Sequence, residues 1–240
     1  MKRLTTICFL IGALTSTAYS QGKTLHQKVY WIRYFNQIYF NERLSWINEV
    51  DNRRFINPDV QNQLIAHTHL HYLIKNFEPA IGCSFSWIYA QIPEDGYKVV
   101  TPEIRPFQEL TYHIPLTKKL KFQERVRVDE RYIRQVNKAK TELEDGYNFN
   151  FRFRFRSQLS YKLNDKYIFK ASDEVMYNDR ANTFDQNRIY AATEFVLSKK
   201  ISVEVGYLHI VQKRASNKGY YSRDIGRLTL YHKIFLKKRE

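Results

Sequence analysis

Three groups of residues have the types and spacing to do chemistry. The first is HTHLH at 67–71. Imidazoles two positions apart share one face of a strand, and neutral imidazole is a common metal ligand. Three in a straight row do not easily reach one ion, and a fourth ligand would have to come from another strand. His67, His69 and His71 therefore read as a polar lining, with no metal. The second group is guanidinium. RVRVDERY at 125–132 sets Arg125, Arg127, Asp129 and Arg131 on one face, and NFNFRFRFR at 148–156 does the same with Arg152, Arg154 and Arg156. Such groups hold carboxylate or phosphate in paired hydrogen bonds. They can attract anions, or they can be consumed by acids of the same chain. Glu103, Glu109, Asp129, Glu174 and Glu194 are the candidate partners, and the network reading weighs more because buried charges need partners. The third group is nucleophilic. A hydrolase needs an activated serine beside a base. No His-x-Ser pair and no Gly-x-Ser-x-Gly elbow is present, so the residues indicate no enzyme and call for no cofactor.

The elements that position these groups follow from their spacing. In 148–156, Phe149, Phe151, Phe153 and Phe155 alternate with Asn150, Arg152, Arg154 and Arg156. A helix would scatter them, whereas a strand sorts rings and charges onto opposite faces. Nucleic-acid binding would need both on one face, with rings on bases and arginines on phosphates, and is excluded on that ground. The alternation runs from 147 to 163, about 56 Å at ~3.3 Å per residue. Strands of soluble proteins are usually about 5–6 residues long; membrane-crossing strands need ~9–11 and carry aromatic girdles. Tyr147 and Tyr161 bracket the phenylalanines in that way. Phe85 and Trp87 repeat the pattern, on the face of 81–89 opposite Gly82, Ser84 and Ser86. Glu124 breaks it, sharing parity with Phe122 and Val126.

Period-two segments fall near 30–40, 43–54, 63–74, 80–90, 103–116, 120–132, 147–163, 166–177, 186–197, 201–212 and 223–236. Short turns lie at 41–42, 75–78, 117–119, 164–165 and 198–200. Longer polar loops lie at 55–62, 91–102, 133–146, 178–185 and 213–222. Short periplasmic turns with longer extracellular loops are the habit of outer-membrane barrels. Eleven segments conflict with the even count usual in single-chain bacterial barrels, so ten or twelve strands are expected.

The chain has 240 residues and a formal charge of +15. MKR, the apolar run LTTICFLIGAL and the small residues TSTAYS form the three parts of a secretory signal peptide at 1–20. Its removal would take Lys2 and Arg3, leaving +13, and Cys8, leaving Cys83 without an intrachain partner. No later run is apolar and long enough for a spanning helix. Aromatics make up 15% of the residues, and no Pro/Gly/Ser-rich linker divides 21–240. The expectation is one all-β domain: a closed antiparallel transmembrane barrel of 10–12 strands, exported to the outer membrane of a Gram-negative bacterium.

A longer match supports this. DEVMYNDRANTFDQNRIYAATEF at 173–195, EIRPFQEL at 103–110, RVRVDERY at 125–132 and WIRYFNQIYFNERLSW at 31–46 resemble the strands of an uncharacterised outer-membrane family typical of Bacteroidota, domain of unknown function 2490. The resemblance implies a barrel and no catalytic residues. It marks Glu103, Arg105, Arg125, Arg127, Asp129, Arg131, Glu174, Asn187 and Arg188 as family-type positions. With Glu109, Arg152, Arg154, Arg156 and Glu194 these form the expected lumen set, apart from Asn187, which shares parity with Ile189 and Phe195. Lipid is the expected partner outside and small anionic solutes within, through a narrow pore. A plugged barrel displaying its loops to an external partner is the alternative. A secreted lipocalin-like binder is a weaker third.

Overall fold

The computed structural model describes residues 23–93, 99–180, 183–214 and 218–236. The expected signal segment, 1–20, lies outside them. The described chain is all strand: β1 (Thr24–Tyr39), β2 (Leu44–Phe55), β3 (Gln61–Tyr72), β4 (Phe77–Ile88), β5 (Thr101–Pro115), β6 (Leu120–Val136), β7 (Leu143–Lys162), β8 (Tyr167–Asn178), β9 (Phe184–Val196), β10 (Ile201–Lys213) and β11 (Tyr220–Phe235). Each pairs antiparallel with the next in chain order. The ring closes where β1 meets β11 in parallel, from Thr24 opposite Tyr220 to Tyr39 opposite Phe235.

Eleven strands among the described residues correct the expectation of ten or twelve. Two strands paired in parallel run the same way. A ring that alternates direction everywhere else then holds an odd number. The all-β closed barrel itself stands as expected.

The short ends share one device. In four of the turns a side-chain oxygen accepts two backbone N–H groups. Asn41 holds Arg43 and Leu44, Thr117 holds Lys119 and Leu120, Asn164 holds Lys166 and Tyr167, and Ser198 holds Lys200 and Ile201. The side chain stands in for a backbone acceptor, which is why Asn, Ser and Thr favour such turns. The connections at the other end are shorter than expected. They shrink to 56–60, 137–142, 179–183 and 214–219, and only 89–100 keeps its length. There the residues turn polar on both faces while backbone pairing continues, so hydropathy alone ends the strands too early. In the first of these connections, Asp59 accepts from Arg54 at 2.7 Å and from the Tyr30 hydroxyl at 3.1 Å. The Arg54 bond, with help from Tyr30, holds the Asp59 carboxyl below the usual carboxylate range.

The faces sort as the alternation requires. Phe85, Trp87, Phe153 and Phe155 are exposed on the outer surface, as are Ile81, Val126 and Leu159. Phe149 and Phe151 are half-buried because they pack on each other, centroids 4.9 Å apart, and Phe149 packs on Tyr132. Apolar exposure on this scale marks a surface built for contact with something other than water. The inward side is not uniformly charged. Val29, Trp31, Phe55, Tyr190, Leu208, Ile210 and Ile225 form a buried apolar cluster across β1, β2 and β9–β11. It packs the inside of the parallel seam, and the charged wall lies mainly across from it on β5–β9.

An outward arginine should damage this barrel more than an inward change. Phe153→Arg is expected to cost about 2–4 kcal/mol if Phe153 lies near mid-bilayer. Reversible urea titration of protein refolded into lipid vesicles reads the loss. An unchanged midpoint would contradict an apolar surround.

Candidate functional site in the lumen

Every residue of the expected lumen set points inward. The pleat places odd positions of β3, β5, β6 and β11 inside, and even positions of β4, β7, β8, β9 and β10. The acids are largely consumed. Asp129, fully buried, accepts from Arg127 at 2.6 Å and Arg152 at 2.7 Å, with Arg154 at 3.8 Å. Glu103 holds Arg105 and Arg131, each at 2.5 Å. Glu109 lies 3.2 Å from Arg125 and 3.9 Å from Arg127. Glu174 is shared by Arg125, Arg154 at 2.9 Å and Arg188 at 3.6 Å. Glu194 does not join this wall. It takes Lys170 at 2.6 Å and the Ser202 hydroxyl at 2.5 Å, because β9 carries it toward β10 and the short-turn end.

Two further clusters escaped the sequence reading. Asp51 holds Arg33 at 2.6 Å and Arg53 at 2.9 Å, with Glu49 beside Arg33 at 3.2 Å. Glu204 collects Lys170 and Arg227, both at 2.8 Å, and the hydroxyls of Tyr190 and Tyr231. The signal was present: Glu49, Asp51 and Arg53 alternate against Trp46, Asn48 and Val50. Small residues set the ring positions. A Cβ at Gly82 would come within 2.6 Å of Phe107, so only glycine lets that ring lie against the wall. The ring then presents its face to Arg127, 3.4 Å from centroid to guanidinium carbon. Gly206 and Tyr190 do the same for Arg227, at 3.8 Å.

The histidines divide. His69 and His71 join nitrogen to nitrogen at 2.5 Å. The chain continues from His69 to Glu49 at 3.0 Å, and from His71 through Glu78 to His113, both steps 2.7 Å. His67 stands apart, its Nδ1 2.5 Å from the Ser84 hydroxyl. That pair resembles a nucleophile and base. However, Ser84 is fully buried, and its hydroxyl oxygen also receives Arg127 at 3.3 Å.

Two outward polar residues also find partners. Glu124 accepts the Ser157 hydroxyl at 2.9 Å, and Asn187 donates to Asp173 at 2.5 Å. This is how the surface tolerates groups that parity places among apolar neighbours.

The charged walls enclose a cavity of about 500 Å³. Thirteen Lys and Arg side chains line it among the described residues, against five Glu and no Asp. Asp51, Glu103, Asp129 and Asp185 are buried behind the arginines they hold, and Glu194 is buried beside Lys170.

The family described as Protein of unknown function (DUF2490) matches residues 29–221. The chain belongs to that family. Its match runs from β1 into β11 and so takes in the whole charged wall of this DUF2490 barrel. No curated protein matches the chain. Among solved structures, the NanC porin in a rhombohedral crystal form aligns over 82% of this chain and 90% of its own, with a TM-score of 0.54 and 12% identity. At that identity the likeness establishes a porin-like β-barrel fold.

Asp129 is the joint of the DUF2490 wall. Asp129→Ala leaves Arg127 and Arg152 buried without their main acceptor and is expected to cost about 3–5 kcal/mol. Arg156→Gln removes a cation that has no ion-pair partner among the described residues and should cost clearly less. The temperature at which the folded band is lost on a denaturing gel orders the two variants. Equal loss would show that the ion pairs do not hold the wall.

Proposed function

We propose that the barrel spans the outer membrane of a Gram-negative cell and forms a narrow passage for small anionic solutes. The observation that carries this reading is the cavity lining, where thirteen cations stand with five Glu and remain in excess after the five acids buried behind them are counted. A low-dielectric wall focuses such an excess, raising anion concentration and repelling cations. The exposed apolar outer face supports a lipid surround, and the porin-like fold supports a passage.

The groups able to attract solute are not the ones their spacing first suggests. Arg152 and Arg154 are occupied by Asp129 and Glu174. Arg156 has no acid partner among the described residues, and Arg223 is held by three neutral amides, Gln27, Gln212 and Gln91. These two supply uncompensated charge.

A second reading rests on the same ion pairs. They run along the wall between neighbouring strands, and their long side chains take up lumen space as side chains do in small barrels, which suits a closed barrel that displays its connections to an outside partner. Single-channel recording in planar bilayers separates the two. A passage gives steps of conductance, and a reversal potential under a KCl gradient with the sign of chloride selectivity. The double variant Arg156→Gln, Arg223→Gln should move that potential toward zero. A silent bilayer, or cation selectivity, would overturn the passage.

A further inference from the structure

Two pairs of arginines face each other directly across the β6–β7 ladder: Arg127 opposite Arg154, and Arg125 opposite Arg156. Like charges in this position repel. The first pair is bridged. Asp129 takes Arg127 at 2.6 Å and stands 3.8 Å from Arg154. The second pair is not. Arg125 turns to Glu109 and Glu174. Glu174, the direct β8 neighbour of Arg156, is already shared by Arg125, Arg154 and Arg188. No carboxylate oxygen lies within 4.0 Å of Arg156 among the described residues. The Nε atoms of Arg156 and Arg125 are both buried without an acceptor. A buried N–H of a charged group left without an acceptor is costly.

Both side chains line the cavity. Next to them, toward the short-turn end, the lining is neutral: Gln158 on β7, Gln123 on β6 and Ser172 on β8. Gln158 donates to Gln123, which donates in turn to His113. None of these brings a negative charge to the arginines.

We propose that this is a binding site for one small oxyanion, a carboxylate or a phosphate, which bridges Arg125 and Arg156 as Asp129 bridges Arg127 and Arg154. A planar guanidinium offers such a group parallel N–H donors. Glu109 and Glu174 border the site through Arg125, and Gln158, Gln123 and Ser172 offer the ligand neutral hydrogen-bonding partners toward the short-turn end. The site rests on the reading of the lumen as accessible to anions, and it adds a fixed stopping point within it.

Calorimetric titration of sodium phosphate and of sodium acetate into the refolded barrel, at constant ionic strength, tests the site directly. Saturable binding of either anion is expected. Arg156→Gln should weaken it by about tenfold or more, the loss of a charge-assisted pair of hydrogen bonds. Gln158→Glu provides a second test that keeps both arginines. It sets a carboxylate two residues from Arg156, as Asp129 stands two residues from Arg127, and should abolish binding while raising thermal stability. Absence of saturable binding in the unaltered protein, or unchanged binding in both Arg156→Gln and Gln158→Glu, would overturn the site. Bilayer recording keeps the two readings apart. Anion-selective current without binding removes the site and keeps the passage. Binding that Arg156→Gln destroys, in a protein that carries no current, keeps the site and removes the passage.

Discussion

The backbone hydrogen-bond ring is the constraint from which the rest of this structure follows. An open sheet leaves the N–H and C=O groups of its two edge strands unpaired, and a sheet that meets itself satisfies them. Here it does so through β1 and β11 running side by side in one direction. Once the ring is closed, each strand separates two surroundings and alternates its side chains between them. The rings of β7 lie outside because its arginines lie inside. Neither face can be changed without regard to the other, since a slip of one residue exchanges them.

Closure also creates the electrostatic problem inside. Long cationic side chains from β5 to β9 point into a space narrow enough for them to meet. Their charge is answered by acids that mostly sit deeper than the arginines they hold. Asp129 and Glu103 are sealed away, and the guanidinium groups form the surface a solute would meet. The result is a wall that is nearly balanced in its ion pairs yet cationic in what it presents. Opposite this wall, the apolar cluster behind the seam packs beside Arg33, Arg223 and Arg227, which the inner faces of β1 and β11 also carry.

Much of this was legible in the residues. Period-two alternation placed the inward arginines and the outward phenylalanines, because parity survives any error in strand ends. It did not yield strand number, since pairing between the first and last strands leaves no local trace. It overestimated the loops, because β6 and β7 continue as a paired ladder after their outer faces become polar. Partner choice was legible only in part. Asp129 stands among the arginines it serves, but Glu194 is turned toward Lys170 by a register that spans several strands. The ion pairs of β1 and β2 were readable from Glu49, Asp51 and Arg53, and were passed over because their run is less conspicuous than that of β7. Gly82 and Gly206 show nothing in sequence of the rings that lie against them.

The four turns that begin with Asn41, Thr117, Asn164 and Ser198 bear on how such a ring comes to exist. Each lowers the entropy of bringing its two strands together, because the side-chain acceptor fixes the reversal locally. Hairpins so primed add neighbours in chain order, each joining residues close in sequence. The seam has no such help: Thr24 must find Tyr220 across nearly the whole chain. Zippering from the hairpins therefore leaves the parallel junction as the last and least assisted step. Until it forms, β1 and β11 are two bare edges, open to each other and to any other strand that reaches them first.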